Sequence, residues 1–257
     1  CSLTEALNQL VIWSNKWQLA INSSKCQTLH LGKSNPMKEY YINNEIVDSV
    51  QHARDLGVEV DDRLNFRQHI QIIIKKAYQR IGILFRGFTS RDSKLLTQAY
   101  KTYIRPILEY GSVIWSPYLL KDINALEGVQ RYFTRRIFGL KSLQYKERLF
   151  VLDLESLELR RLKIDLIMTY KIFNNFVDLD SSSFFKLNTN TTRGHSYKIS
   201  KNLFNNTQLQ NNFQNRVIDC WNNLSDNVVS TKSVNSFKNH LDKIDFNKYM
   251  KGQALVD

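Results

Sequence analysis

The stretch FRQHIQIIIKKAYQRIGILFRGF, residues 66–88, decides the fold. Ile70, Ile73, Ala77, Ile81, Leu84 and Phe88 fall near positions a and d of a heptad, the period of one helix of about 20 residues. Lys75, Lys76, Gln79, Arg80 and Arg86 fall on the other face. Such a helix packs on one side and turns a basic face outward, where a polyanion is its natural partner.

Downstream, the helical period continues. Asp92 is placed to cap a helix from about Ser93 to Tyr103. Pro106 suits the first turn of another, and RPILEYGSVIW reads as a buried helix in which Arg105 and Glu109 pair at i,i+4. Further helices are expected over about 120–138 and 156–177. Residues 179–212, rich in Ser, Asn and Thr, read as a loop or loosely packed linker. Two amphipathic helices close the chain, one on Phe213, Val217 and Trp221, the other on Val234, Phe237, Leu241 and Ile244. Upstream, Leu3, Leu7, Leu10, Trp13 and Trp17 mark a helix over 3–17. QTLHLG (27–32) alternates as a strand, EYYINNEIVDSV (39–50) reads as a hairpin turning at Asn43-Asn44, and ARDLGVEVDD (53–62) reads as one more strand. The expected fold is mainly α with a small α+β N-terminal part.

Charge follows the same division. The 257 residues carry 36 basic and 24 acidic side chains, net +12. Residues 1–60 hold 5 basic and 6 acidic side chains, 61–180 hold 21 and 13, and 181–257 hold 10 and 5. The basic surplus therefore starts where the long helices start. Cys1, Cys26 and Cys220 are odd in number and far apart, so no disulfide framework is implied and a reducing, intracellular setting is expected. No apolar run is long enough for a membrane span. A chain opening on Cys1 rather than Met reads as a piece of something longer.

Catalytic patterns are sparse. Asp61-Asp62 are adjacent on a strand and point to opposite faces, whereas two-metal catalysis needs carboxylates converging on ions about 4 Å apart. A turn-and-capping role before Phe66 fits them better. The five histidines have no Cys or carboxylate at ligand spacing, and no nucleophile elbow, P-loop or dinucleotide fingerprint is present. Trp115 and Trp221 sit in amphipathic helices and read as core rather than as stacking platforms.

Six segments, taken in order, resemble the C-terminal part of the reverse transcriptases of non-LTR retrotransposons, the jockey-like and related long interspersed elements. They are LTEALNQLVIWSNKWQLAINSSKCQ, DLGVEVDDRLNFRQHI, RPILEYGSVIWSPY, LEGVQRYFTRRIFGL, YKERLFVLDLESLELRR and CWNNL. The resemblance implies the end of a palm subdomain (1–62), a helical thumb and connection (63–178) and a linker with a C-terminal helical extension (179–257). It implies that Lys25 sits near an incoming triphosphate and acts as a general acid, and that Leu56, Gly57 and Val58 form a primer-grip hairpin turn. Lys75, Lys76 and Arg80, with Arg131 and Arg135 one turn apart on an exposed face, are the expected contacts to template and primer, RNA and DNA. In this family the catalytic aspartates precede the stretch that corresponds to residue 1. Mg²⁺ is therefore expected only for the complete polymerase, whose upstream half would be a partner and whose site of action would be the nucleus. A stand-alone basic nucleic-acid-binding module and a non-functional transposon remnant are the alternative readings.

Overall fold

The computed structural model describes residues 2–32, 34–90, 92–188, 194–201 and 204–252. It is about 54% helical with a few small sheets, so the mainly-α expectation holds. No described helix is long and apolar enough to cross a membrane. The chain divides into two compact units, residues 1–69 and 70–257.

In the first unit, α1 (Leu3–Lys16) begins on a capping box. The Ser2 hydroxyl accepts the Glu5 N–H at 3.3 Å, and the Glu5 carboxylate accepts the Ser2 N–H at 2.9 Å. The expected stripe forms but is not covered. Trp13 and Trp17 are 50% and 61% exposed, and Leu3, Leu10 and Ile12 are exposed with them. A short 3-10 turn, Ser23–Lys25, leads into β1 (Gln27–Leu29). Next come β2 (Tyr41–Ile42), β3 (Glu45–Ile46), β4 (Asp48–Val50), β5 (His52–Asp55) and β6 (Val58–Asp61).

These strands form three separate two-stranded ladders. β1 runs parallel to β4, while β2 with β3 and β5 with β6 are antiparallel hairpins. Asn43 and Asn44 turn the β2–β3 hairpin with φ of 52° and 64°, the left-handed pair that a two-residue hairpin needs and Asn tolerates. The single strand read from alternation over 53–62 is the β5–β6 hairpin, with its turn where the resemblance implied one. Leu56 and Gly57 reverse the chain there with φ of 43° and 87°. Alternation carries on through a two-residue turn in step, so periodicity alone misses it, and Gly57 was the local signal.

Asp61 does the capping that its position implied. Its buried carboxylate accepts the N–H groups of Arg63 (3.0 Å), Asn65 (3.0 Å) and Phe66 (2.8 Å). It thereby holds the turn at Leu64 and Phe66, both at φ 54°.

Helix α2 (Arg67–Gly87) contains the boundary between the units. In the second unit it is followed by α3 (Ser93–Tyr103), whose N-cap Asp92 accepts the Leu95 N–H at 2.7 Å. The single helix expected over 105–115 is corrected to two short ones, α4 (Arg105–Glu109) and α5 (Ser112–Trp115). Gly111, at φ 66°, breaks them apart. The Trp115 indole N–H donates to the Tyr110 carbonyl at 2.7 Å, using the acceptor that the break releases. Then come α6 (Leu120–Arg135), α7 (Tyr145–Val151) and α8 (Leu157–Phe173). Helix α7 was not foreseen, because at seven residues it is too short to show a period.

The chain ends with α9 (Ser181–Phe184), α10 (Thr207–Gln210), α11 (Phe213–Arg216), α12 (Ile218–Asn222), α13 (Asp226–Val229) and α14 (Val234–Leu241). The helix expected on Phe213, Val217 and Trp221 is thus interrupted at Val217. The linker expected over 179–212 is also corrected where residues are described. Phe185, His195 and Ile199 are buried, and Leu187 and Ile199 form a β-bridge. Residues 189–193 and 202–203 of that linker lie outside the described residues.

Two parts of the core order this unit. Ile73, Ala77 and Ile81 of α2 are buried, as are Leu96 and Tyr100 of α3 and Leu126, Val129 and Phe133 of α6. The Tyr100 and Phe133 rings stack at 4.5 Å. The other part gathers Tyr170 of α8, Trp221 of α12 and Phe237 of α14, with Tyr170 and Phe237 stacked at 4.3 Å. Trp115 and Trp221 are both fully buried core residues, as expected.

A buried polar chain ties α3, α6, α7 and α8 together. The Tyr100 hydroxyl donates to Gln130 at 2.8 Å, and the Gln130 amide donates to Tyr145 at 2.9 Å. Tyr145 donates to Glu127, which also accepts the Leu157 N–H at 3.0 Å. Burial pushes the Glu127 carboxyl up, against the downward pull of these hydrogen bonds and of the Arg161 charge.

Candidate functional site

The expected basic face of α2 exists. Lys75, Lys76, Gln79, Arg80 and Arg86 are all exposed, the first four adjacent or one turn apart, while Ile70, Ile73, Ala77, Ile81 and Leu84 are buried. The C-terminal end of α6 packs beside this helix through Tyr78 against Tyr132 (5.2 Å, edge-on) and Phe85 against Phe133 (5.7 Å). The Arg136 guanidinium lies over both the Phe85 ring (4.7 Å) and the Tyr132 ring (5.3 Å). It joins the basic face of α2 to the exposed Arg135. Exposed basic side chains thus occur both on α2 and on the end of α6 that packs beside it, with the half-open Tyr78 and Tyr132 rings at the contact.

The shared exposed face expected for Arg131 and Arg135 is corrected. Arg135 is exposed, but Arg131 is half-buried with its guanidinium over the Tyr145 ring at 5.1 Å. Helix α7 causes this: it lays Tyr145 against the flank of α6 that Arg131 occupies. Two aromatic residues went unnoticed in the sequence. Phe138, just after α6, is 84% exposed, and Phe150 in α7 is 88% exposed. Around them in sequence stand Arg135, Arg136, Lys141 and Lys146, all exposed. In a helix end, rings beside basic side chains are the composition of a single-strand stacking surface. The available signal was that Phe150 falls off the apolar stripe of Tyr145, Leu149 and Leu152.

Glu109 has a firmer partner than the expected one. Arg105 lies at 3.8 Å, while Arg160 of α8 grips the Glu109 carboxylate with two nitrogens. The fork holds the broken α4–α5 segment onto α8.

The remaining expected site residues lie in the first unit. Lys25 ends the 3-10 turn and is exposed. Leu56 and Gly57 form the exposed tip of the β5–β6 hairpin, and Val58 is buried beneath it. Among the described residues no group of three His, Cys, Asp or Glu side chains comes together to hold a metal ion.

The chain is 29% identical over 143 residues to the probable RNA-directed DNA polymerase from transposon BS of Drosophila melanogaster, covering 52% of this chain and 16% of that protein. It is 29% identical over 134 residues to the corresponding protein of the X-element, covering 49% and 14%. The chain is similar to the RNA-directed DNA polymerases of non-LTR retrotransposons. The resemblance read from the sequence therefore stands, over about half of the chain. An uncharacterized Caenorhabditis elegans protein is 28% identical over 121 residues, 46% of this chain and 61% of its own length. The chain thus spans roughly a sixth of the retrotransposon polymerases and about six tenths of the worm protein. No protein-family model and no solved structure matches it.

Proposed function

We propose that this chain is the part of a non-LTR retrotransposon reverse transcriptase that grips template and primer. In this reading residues 1–62 close the palm, 63–178 form thumb and connection, and 179–257 form the C-terminal extension. The observation that carries it is the set of exposed basic side chains on α2 and the end of α6, with rings at their contact, in a chain similar to RNA-directed DNA polymerases. Lys75, Lys76, Arg80 and Arg135 neutralise backbone phosphates of the RNA–DNA hybrid, which is sequence-independent contact. Phe138 and Phe150 stack on unpaired bases. The Leu56-Gly57-Val58 turn approaches the primer strand, since a glycine without Cβ lets backbone meet backbone. Lys25 donates a proton to the departing pyrophosphate.

The metal and the nucleotide-addition chemistry belong to the rest of the polymerase, which acts in the nucleus. That rest also covers the uncovered stripe of α1, Leu3, Leu10, Trp13 and Trp17.

Fluorescence anisotropy with a labelled primer–template tests the grip. Affinity should fall with salt by about 0.9 log units per log unit and per phosphate contact. Replacing Lys75, Lys76, Arg80 and Arg135 together by Ala should flatten that slope by up to about 3.6 units. Binding indifferent to salt sinks the proposal. Primer extension by the 257-residue chain alone would show that the assignment of the chemistry to other residues is wrong.

A further inference from the structure

After α14 the chain folds back as a strap over the second unit, and the geometry pins it there. The Glu158 carboxylate of α8 accepts two successive backbone N–H groups, those of Lys251 (2.7 Å) and Gly252 (3.0 Å). A Cβ at Gly252 would stand 2.8 Å from both that carboxylate and the Ile123 side chain of α6, so glycine alone fits. The Lys251 ammonium donates to the Asn211 side chain at 3.1 Å.

The strap makes one wall of a cavity of about 510 Å³, to which it contributes Lys248, Tyr249, Met250 and Lys251. Tyr118 and Phe204 add two more rings, and Gln210, Asn211 and Asn215 add carboxamides. Asn215 donates its amide to the Leu209 carbonyl at 2.6 Å, which leaves its oxygen as an acceptor. The size lies within the range of small-ligand sites, about 300–1,000 Å³.

Most charges of the lining are already matched. Asp165 takes the Arg216 fork at 2.8 Å on each oxygen, and Asp219 takes Lys201 at 2.6 Å. Arg161 is buried and faces the charge of Glu127, away from any ligand. Lys248 and Lys251 differ from these. Both are exposed and neither has a carboxylate partner among the described residues. The Lys248 ammonium sits over the Tyr249 ring at 4.8 Å. Against Glu158, these two ammonium groups leave one positive charge at the mouth of the cavity.

We propose that this cavity receives one base of a single-stranded nucleic acid, lodged among Tyr118, Phe204 and Tyr249, with the adjoining phosphodiester on Lys248 and Lys251. Rings accept any base because every base has a π-face. Carboxamides match base edges, adenine best, whose amino group needs an acceptor. A phosphodiester carries one negative charge, which is the charge left unmatched. The proposal rests on the reading of the chain as part of a nucleic-acid-handling protein, and adds a site apart from the basic side chains of α2 and α6.

Fluorescence anisotropy tests it in the full chain with the grip removed, Lys75, Lys76, Arg80, Arg135, Phe138 and Phe150 all being exposed and all replaced by Ala. A short labelled oligo(rA) should still bind, and the same strand made abasic at least about tenfold more weakly. Gly252→Val, which displaces the strap but removes no ring or charge, should weaken oligo(rA) at least about fivefold. Lys248→Ala with Lys251→Ala should flatten the salt slope by up to about 1.4 units, two contacts on a single strand. No binding below about 1 mM, an abasic strand that binds equally, or strap variants that bind like their parent would overturn the proposal and leave the grip standing. Loss of primer–template binding with oligo(rA) binding retained would overturn the grip instead. Should Gly252→Val fail to fold, the two exposed lysines and the abasic strand still decide.

Discussion

Helices α1 and α2 present the same pattern in sequence and opposite situations in the fold. Both carry apolar residues at helical spacing with polar residues between them. The stripe of α2 is buried from Ile70 to Leu84, with Ala77 and Ile81 fully so. The stripe of α1 lies in the open, its two tryptophans half or more exposed. The difference extends to the units themselves. Among the described residues of the first unit, the buried hydrophobic side chains are Ile42, Val47 and Val58, and the strands pair only in twos. Isolated two-stranded ladders are marginal in water, because each leaves an edge and a face without partners. The second unit closes its helices around stacked rings and a satisfied polar chain. An amphipathic period therefore identifies a helix and the face that needs covering, but does not say that the cover lies in the same stretch of chain.

This contrast can be broken most sharply by truncating one tryptophan from each side. Trp221→Ala should destabilise the protein by about 3–5 kcal/mol, the cost of removing a fully buried aromatic side chain. Trp13→Ala should shift stability by no more than about 0.5 kcal/mol. Urea denaturation followed by circular dichroism measures both, and equal losses would mean that α1 is covered in solution. Hydrogen exchange sharpens the same point without mutation. Amides of residues 41–61 should exchange at least about a hundredfold faster than those of 70–87 and 120–135. Equal protection would show the first unit to be a complete fold.

The smallest expected effect is a pH dependence confined to the second unit. His195 Nε2 lies 3.1 Å from the Trp221 carbonyl, and its ring meets the indole edge-on at 5.8 Å. Burial holds the imidazole below its ordinary 6.5, with Lys198 adding to the effect and the Trp221 carbonyl and Asp226 opposing it. The native state thus resists a proton that the unfolded chain accepts. The associated stability is fully present above about pH 6.5 and is lost as pH falls toward the lowered native value. Thermal denaturation between about pH 8 and about pH 5 should show this decline, and His195→Phe should flatten it. An unchanged slope in that variant would assign the dependence to other groups.

Much of this molecule was legible in its residues. Long helices declare themselves because 3.6-residue periodicity over four or five turns has no other explanation, as in α2, α6 and α8. Local chemistry was equally readable: Asp92 and Asp61 cap, and Asn43-Asn44 turn a hairpin, because these depend only on neighbours in sequence. The basic face of α2 followed from the same period, and the resemblance to retrotransposon polymerases came from short segments in a fixed order. Contacts between distant segments decided the rest. Whether Arg131 meets solvent depended on Tyr145, fourteen positions on, which α7 brings over it. Glu109 found its fork on Arg160, fifty-one residues away. Gly111 broke a helix that the period alone would have continued. Arg161 reads as one more basic residue on a helix, until the neighbouring elements bury it beside the charge of Glu127. Burial and pairing are set by what arrives from elsewhere in the chain. That is why the pattern named the helices, and only the packed structure showed which of their charges meet solvent and which meet a partner.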